Sequence, residues 1–117
     1  MNRFRRLRMG EAMRSLVRET HLVSDQLVQP FFVVEGAGKT EAIDSMPGIL
    51  RYSQDRLLKV IEKYIKLGGR AGLFFGVPSK KDKQASGAYN PAGVVPKAIK
   101  AIKKHFPKFL VMTDVCL

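Results

Sequence analysis

Two side chains near the end of the chain have the type and spacing to do chemistry together. Asp114 and Cys116 sit in Phe109-Leu-Val-Met-Thr-Asp-Val-Cys-Leu117, a run whose apolar and β-branched residues suit a buried strand. Side chains alternate across a strand, so Leu110, Met112, Asp114 and Cys116 share one face, and Phe109, Val111, Thr113 and Val115 share the other. The first face is apolar where the strand begins and reactive where it ends. In parallel α/β sheets and barrels, chemistry collects at the carboxyl ends of strands, because loops there surround a substrate while the strands beneath stay rigid. A carboxylate and a thiolate at such an end suit acid-base work or metal binding. A half-exposed aspartate and a small buried cysteine without a role fit the same spacing equally well. Cys116 alone makes no zinc site, since structural zinc wants four ligands and catalytic zinc three plus an open position. The other donors would come from beyond Leu117 or from another chain.

The elements that must hold this pair read as a repeating α/β pattern. Gln29-Pro-Phe-Phe-Val-Val-Glu35 is a continuous apolar strand, with Pro30 tolerable only at its start or edge, so the strand proper begins near Phe31. Gly36-Ala-Gly38 ends it, and Ser45-Met-Pro-Gly48 suits a type II turn in the loop that follows. Ser53 caps a helix whose Leu57, Leu58, Ile61, Tyr64 and Ile65 form one buried stripe, and Gly68-Gly69 stops it. Ala71-Gly-Leu-Phe-Phe-Gly-Val77 is the second strand. The connection from Pro78 to Pro91 is long for a compact domain. A second helix starts with Pro96 at its first position, buries Ala98, Ile99, Ile102 and Phe106, and stops at Pro107.

The strands begin near Phe31, Ala71 and Phe109, 40 and 38 residues apart, which is a βαβαβ pattern with parallel strands. Three strands apolar on both faces cannot be covered by two helices that fall on one side. The pattern therefore reads as unfinished: an α/β chain supplying the first three strands of a (β/α)8 TIM barrel, which at this spacing needs roughly 300 residues. Residues 1 to 25 read as an arm and 26 to 117 as the incomplete barrel. The arm has room for a short helix around Glu11 to Arg18, but its Leu7, Met13, Leu16 and Val17 make no long apolar face, so it must borrow a surface.

Other motifs carry less. Gly36-Ala-Gly38 lacks the third glycine and the immediately following helix of a dinucleotide-binding turn. His21 and His105 read as structural. No run approaches 18 apolar residues, so no membrane span is expected, and no secretory signal follows the basic N-terminus. A single cysteine excludes an internal disulfide and makes the cytoplasm the default compartment. Twenty-one Lys and Arg against ten acids give a net charge of +11, which raises a competing class, a small basic α/β nucleic-acid-binding domain using the N-terminal arginines. Most lysines, however, fall on solvent faces of the two helices, and that class leaves the two-faced apolar strands unexplained.

The sequence also resembles a known family. Thr113-Asp-Val-Cys-Leu117 after Phe106-Pro-Lys-Phe-Leu-Val111 is similar to the start of the zinc-binding region of the delta-aminolevulinic acid dehydratase (porphobilinogen synthase) family. Arg5-Arg-Leu-Arg8, Val17-Arg-Glu-Thr20, Gln29 to Gly36, Ser45 to Gly48, Phe75 to Pro78 and Ala88 to Pro91 fall in the family's order. The resemblance implies a hydro-lyase of haem and tetrapyrrole synthesis that condenses two 5-aminolevulinate molecules into porphobilinogen with loss of two waters. It implies Schiff bases on two lysines, zinc as cofactor with magnesium as a candidate additional metal, and a homo-octamer whose arm wraps a neighbouring barrel. Neither membrane nor nucleic acid is implied as a partner. Asp114 matches an active-site aspartate and Cys116 the first of three zinc cysteines, whereas the other cysteines and both Schiff-base lysines match positions past Leu117. The chain by itself is therefore expected to be inactive.

Overall fold

The computed structural model describes residues 5–79 and 82–114, without the side chain of Ala88. Its centre is a five-stranded sheet in the order β2-β3-β1-β4-β5, built from β1 (Val28–Val34), β2 (Thr40–Ala42), β3 (Leu50–Ser53), β4 (Ala71–Val77) and β5 (Leu110–Thr113). β1, β4 and β5 are parallel and adjacent in that order, as the repeat predicts. β3 adds a fourth parallel strand beside β1, and β2 returns antiparallel along β3.

That hairpin occupies a stretch read from sequence as loop, because segments of three and four residues are too short for periodicity to show. Its turn is as expected: Ile49 N–H bonds Met46 C=O at 3.0 Å, with Pro47 and Gly48 central and Gly48 at φ +84°. β1 also begins at Val28 rather than Phe31, with Pro30 inside it. β4 pairs with all of β1, but β3 pairs only from Phe32 onward. Pro30 therefore lies where one side of β1 is still an edge, and its missing N–H leaves no ladder bond broken on that side.

Two helices cover one face of the sheet: α2 (Gln54–Lys66) and α4 (Val94–His105). Leu57 and Ile61 of α2 and Ala98 and Ile102 of α4 close onto Phe31, Val33, Phe74 and Phe109 in one core cluster. Phe31 stacks on Phe74 with ring centroids 5.3 Å apart, and Tyr64 meets Phe31 edge-on at 5.9 Å. Leu57, Ile61, Phe74 and Ile102 are wholly buried, each worth roughly 1.5–3 kcal/mol in transfer free energy. The opposite face carries Leu110, 52% exposed, and Met112, 39% exposed, and among the described residues no helix covers them.

The helix ends are built differently from one another. α2 closes with Gly69 N–H to Tyr64 C=O at 3.0 Å and Gly68 N–H to Ile65 C=O at 2.9 Å, a Schellman cap with Gly68 at φ +95°. Ser53 precedes α2, but its hydroxyl bonds no helix N–H, contrary to the capping role read from sequence. α4 starts two residues before Pro96, at Val94. Pro96 still falls within the first turn, where its missing N–H costs nothing. The long connection after β4 holds one further turn of helix, α3 (Ser86–Tyr89). In the arm, α1 spans Glu11–Leu16, shorter than expected, and buries no residue.

Candidate active site at the carboxyl ends of the strands

The parallel strands end together, bringing Glu35 after β1, Ser53 of β3, Ser79 after β4 and Asp114 after β5 to one rim. The register that pairs Phe74 with Thr113 sets Asp114 beside Phe75, and Asp114 N–H extends the ladder to Phe74 C=O at 3.3 Å. Asp114 is exposed and, by alternation with Leu110 and Met112, belongs to the face without helices. Phe75 stacks on Phe32 at 5.2 Å, an apolar floor beside that carboxylate's strand. Cys116 lies outside the described residues. Among the described residues, no three His, Cys, Asp or Glu side chains stand together in a way that could hold a metal ion.

The rim also holds a polar network that sequence reading missed. The wholly buried Ser53 hydroxyl donates to Asp55 Oδ1 at 2.6 Å and accepts Lys39 N–H at 2.9 Å. Asp55 accepts Gly38 N–H on both carboxylate oxygens, at 3.0 and 3.1 Å. The Ser53 hydroxyl and then the Gly38 N–H hold the Asp55 carboxyl below its ordinary value. The sequence signal was Ser53, read as a helix cap; only the β2–β3 hairpin brings Gly38 and Lys39 within reach. Across the rim, Ser79 donates to Glu35 Oε2 at 2.5 Å, joining the ends of β1 and β4. A shallow cleft of about 330 Å³ opens beside this pair, lined by Val34, Glu35, Gly36, Gln54, Ala92, Val94 and Lys97. Asp82 receives both the N–H and the hydroxyl of Ser86, which lower its carboxyl and tie the start of α3 to the preceding loop.

Parallel strands, helices on one sheet face and polar groups at the carboxyl rim define part of a TIM-barrel enzyme. The family model described as delta-aminolevulinic acid dehydratase matches residues 1–117, and the chain belongs to that family. It is 48% identical over 115 residues to the delta-aminolevulinic acid dehydratase of Methanothermus sociabilis, covering 98% of this chain and 36% of that protein. With the Bacillus subtilis protein of the same name it shares 43% identity over 116 residues, 99% of this chain and 36% of the relative. The Toxoplasma gondii delta-aminolevulinic acid dehydratase (porphobilinogen synthase), solved in complex with the reaction product porphobilinogen, superposes with a TM-score of 0.91 at 36% identity. That match covers 100% of this chain and 34% of the other. The chain thus spans about a third of the length of these relatives. The nucleic-acid-binding alternative finds no support in these comparisons.

Proposed function

We propose that this chain supplies the arm and first three barrel strands of an enzyme that condenses two 5-aminolevulinate molecules into porphobilinogen, releasing two waters. The observation that carries the reading is the match of the whole chain to a product-bound porphobilinogen synthase at a TM-score of 0.91. Asp114 is the residue of this chain best placed to meet substrate: an exposed carboxylate at a strand's carboxyl end, on the helix-free face. It can orient the substrate's ammonium group or hold a proton in transfer, and the Phe32–Phe75 pair gives the adjoining surface a low polarity that strengthens such contacts. The lysines that would form Schiff bases lie outside this chain.

Cys116 fits zinc by donor type, since a thiolate is a soft ligand, and it would be one of several ligands drawn mostly from elsewhere in the protein. When bound there, zinc supplies a Lewis acid that polarises a carbonyl oxygen. An additional magnesium would need only one or two carboxylates with water completing its shell.

The test compares two variants of the full-length protein for zinc content and porphobilinogen formation. Cys116→Ala is expected to lower zinc and turnover together. Asp114→Asn is expected to retain zinc while turnover falls on the order of 10²-fold or more, the usual contribution of a positioned acid-base group. Full zinc and full activity in Cys116→Ala would remove the ligand assignment, and full activity in Asp114→Asn would remove the catalytic one. The arm, exposed along its described length, belongs in the same proposal as the segment that grips a neighbouring subunit. Deleting residues 1 to 20 should then lower the assembled mass in light scattering.

A further inference from the structure

The cleft beside the Glu35–Ser79 pair brings a carboxylate and an ammonium to one small space. About 330 Å³ in volume, it lies between the end of β1 and the starts of α2 and α4, and its charged lining residues are Glu35 and Lys97. Among the described residues, these two form no ion pair with each other or with any other group. Gln54 adds an amide, and Val34, Ala92 and Val94 contribute short aliphatic surface. A primary amide carries two donors and an acceptor, so Gln54 can meet either kind of end group.

The three polar groups stand on backbone fixed by the fold. Glu35 follows β1 directly, and the Ser79 hydroxyl donates to its Oε2 at 2.5 Å, which leaves Oε1 without a partner among the described residues. Gln54 opens α2 immediately after the wholly buried Ser53, whose N–H bonds Lys39 C=O at 3.1 Å. Lys97 N–H bonds Gly93 C=O at 3.1 Å in the first turn of α4, a helix seated closely on Gly76. Continuing the alternation of Phe31 and Val33, Glu35 belongs to the helix-covered face of the sheet, whereas Asp114 belongs to the helix-free face. The cleft and Asp114 therefore serve separate spaces.

We propose that this cleft binds a small ω-amino acid as a zwitterion, its ammonium on Glu35, its carboxylate on Lys97 and its methylene chain along Val34 and Val94. A lone anion would be attracted by Lys97 and repelled by Glu35, and a lone cation would meet the reverse. Only a ligand carrying both charges is favoured at both ends. The volume lies at the small end of the range for ligand pockets, which suits a chain of a few carbons. 5-Aminolevulinate belongs to this class; its identity as the ligand rests on the function proposed above, whereas the class follows from the cleft.

The experiment uses the full-length protein and labelled 5-aminopentanoate, an ω-amino acid without the ketone that a lysine would attack. The reaction site is first filled by borohydride reduction in the presence of 5-aminolevulinate, which fixes any Schiff base as a stable secondary amine. Equilibrium dialysis should then find about one 5-aminopentanoate site per chain. Glu35→Gln and Lys97→Met should each weaken binding at least about tenfold, since each removes a charge-assisted contact from one end of the ligand. Lys100→Met, further along α4 and outside the cleft lining, should leave it unchanged. On the parent protein, pentanoate and pentylamine, each with one charge, should also bind at least about tenfold more weakly. Circular dichroism checks that every variant keeps its fold, and Glu35→Gln retains an acceptor for Ser79. No binding after blocking, equal binding of either singly charged probe, or indifference to both cleft variants overturns the assignment. Failure of borohydride to retain 5-aminolevulinate counts instead against the condensing function, and the two variants still decide the cleft.

Discussion

Gly76, near the end of β4, touches the start of α4 so closely that adding one methyl group tests the helix–sheet packing directly. A Cβ built on Gly76 would lie 2.5 Å from Val95 Cγ2 and 3.1 Å from Val94 Cγ1. Carbon atoms pack at about 3.5–4.0 Å, so Val95 must retreat by about 1 Å. Rotation offers little escape, because a valine in a helix is held largely to one χ1 rotamer. The amino end of α4 has to lift instead, and Gly76→Ala should cost about 2 kcal/mol, in the range of overpacked cores. Val95→Ala removes the offending methyl and leaves Val95 Cβ at 3.8 Å, an ordinary contact. The double variant should therefore be more stable than the two single costs imply, with a coupling of at least about 1 kcal/mol. Urea unfolding of the full-length protein, followed by circular dichroism with unchanged slopes, reads both quantities. Gly87→Ala is the control: nothing lies within 4 Å of its added methyl, and its effect should stay within about 0.5 kcal/mol. A cost below about 0.5 kcal/mol for Gly76→Ala, or strict additivity with Val95→Ala, would refute the packing described for α4.

Further outcomes follow from the same geometry. Ala85 holds φ 51° and ψ 39°, a left-handed conformation that glycine adopts without strain, so Ala85→Gly should raise the unfolding midpoint by roughly 0.5 kcal/mol equivalent. Gly48 at φ +84° is the mirror case, and Gly48→Ala should lower stability by about 1 kcal/mol in the same assay. Asp55 contributes stability at neutral pH because its folded carboxyl is depressed below the ordinary 3.8. That contribution is present above 3.8 and is lost as pH falls through the depressed folded value, so the parent's lead over Asp55→Asn should shrink on acidification below 3.8. A constant gap from pH 7 to pH 3 would contradict the hydrogen bonds drawn to Asp55.

Long periodic segments were legible from the chain alone. The stripe of Leu57, Ile61 and Tyr64 and the run from Ala71 to Val77 bury enough apolar surface that no alternative placement competes. The spacing of three apolar runs implied parallel neighbours, and the glycine pair at 68 and 69 stops its helix as its backbone freedom demands. The alternation that places Asp114 on the helix-free side was equally local.

What tertiary structure decided was everything that depends on a distant partner. Ser53 has the composition of a helix cap, yet the β2–β3 hairpin brings Lys39 and Gly38 to it, and those partners claim its hydroxyl and the Asp55 carboxylate. Pro30 breaks a central strand by rule, but it stands inside β1 because β3 joins only from Phe32 onward. Asp25 and Arg70 are 45 residues apart and unremarkable in sequence, and they meet because β1 and β4 run side by side. Local pattern determines which segments become strand and helix, since the driving force is each segment's own apolar face. Hydrogen bonds and ion pairs between segments depend on register and loop path, which no single segment encodes.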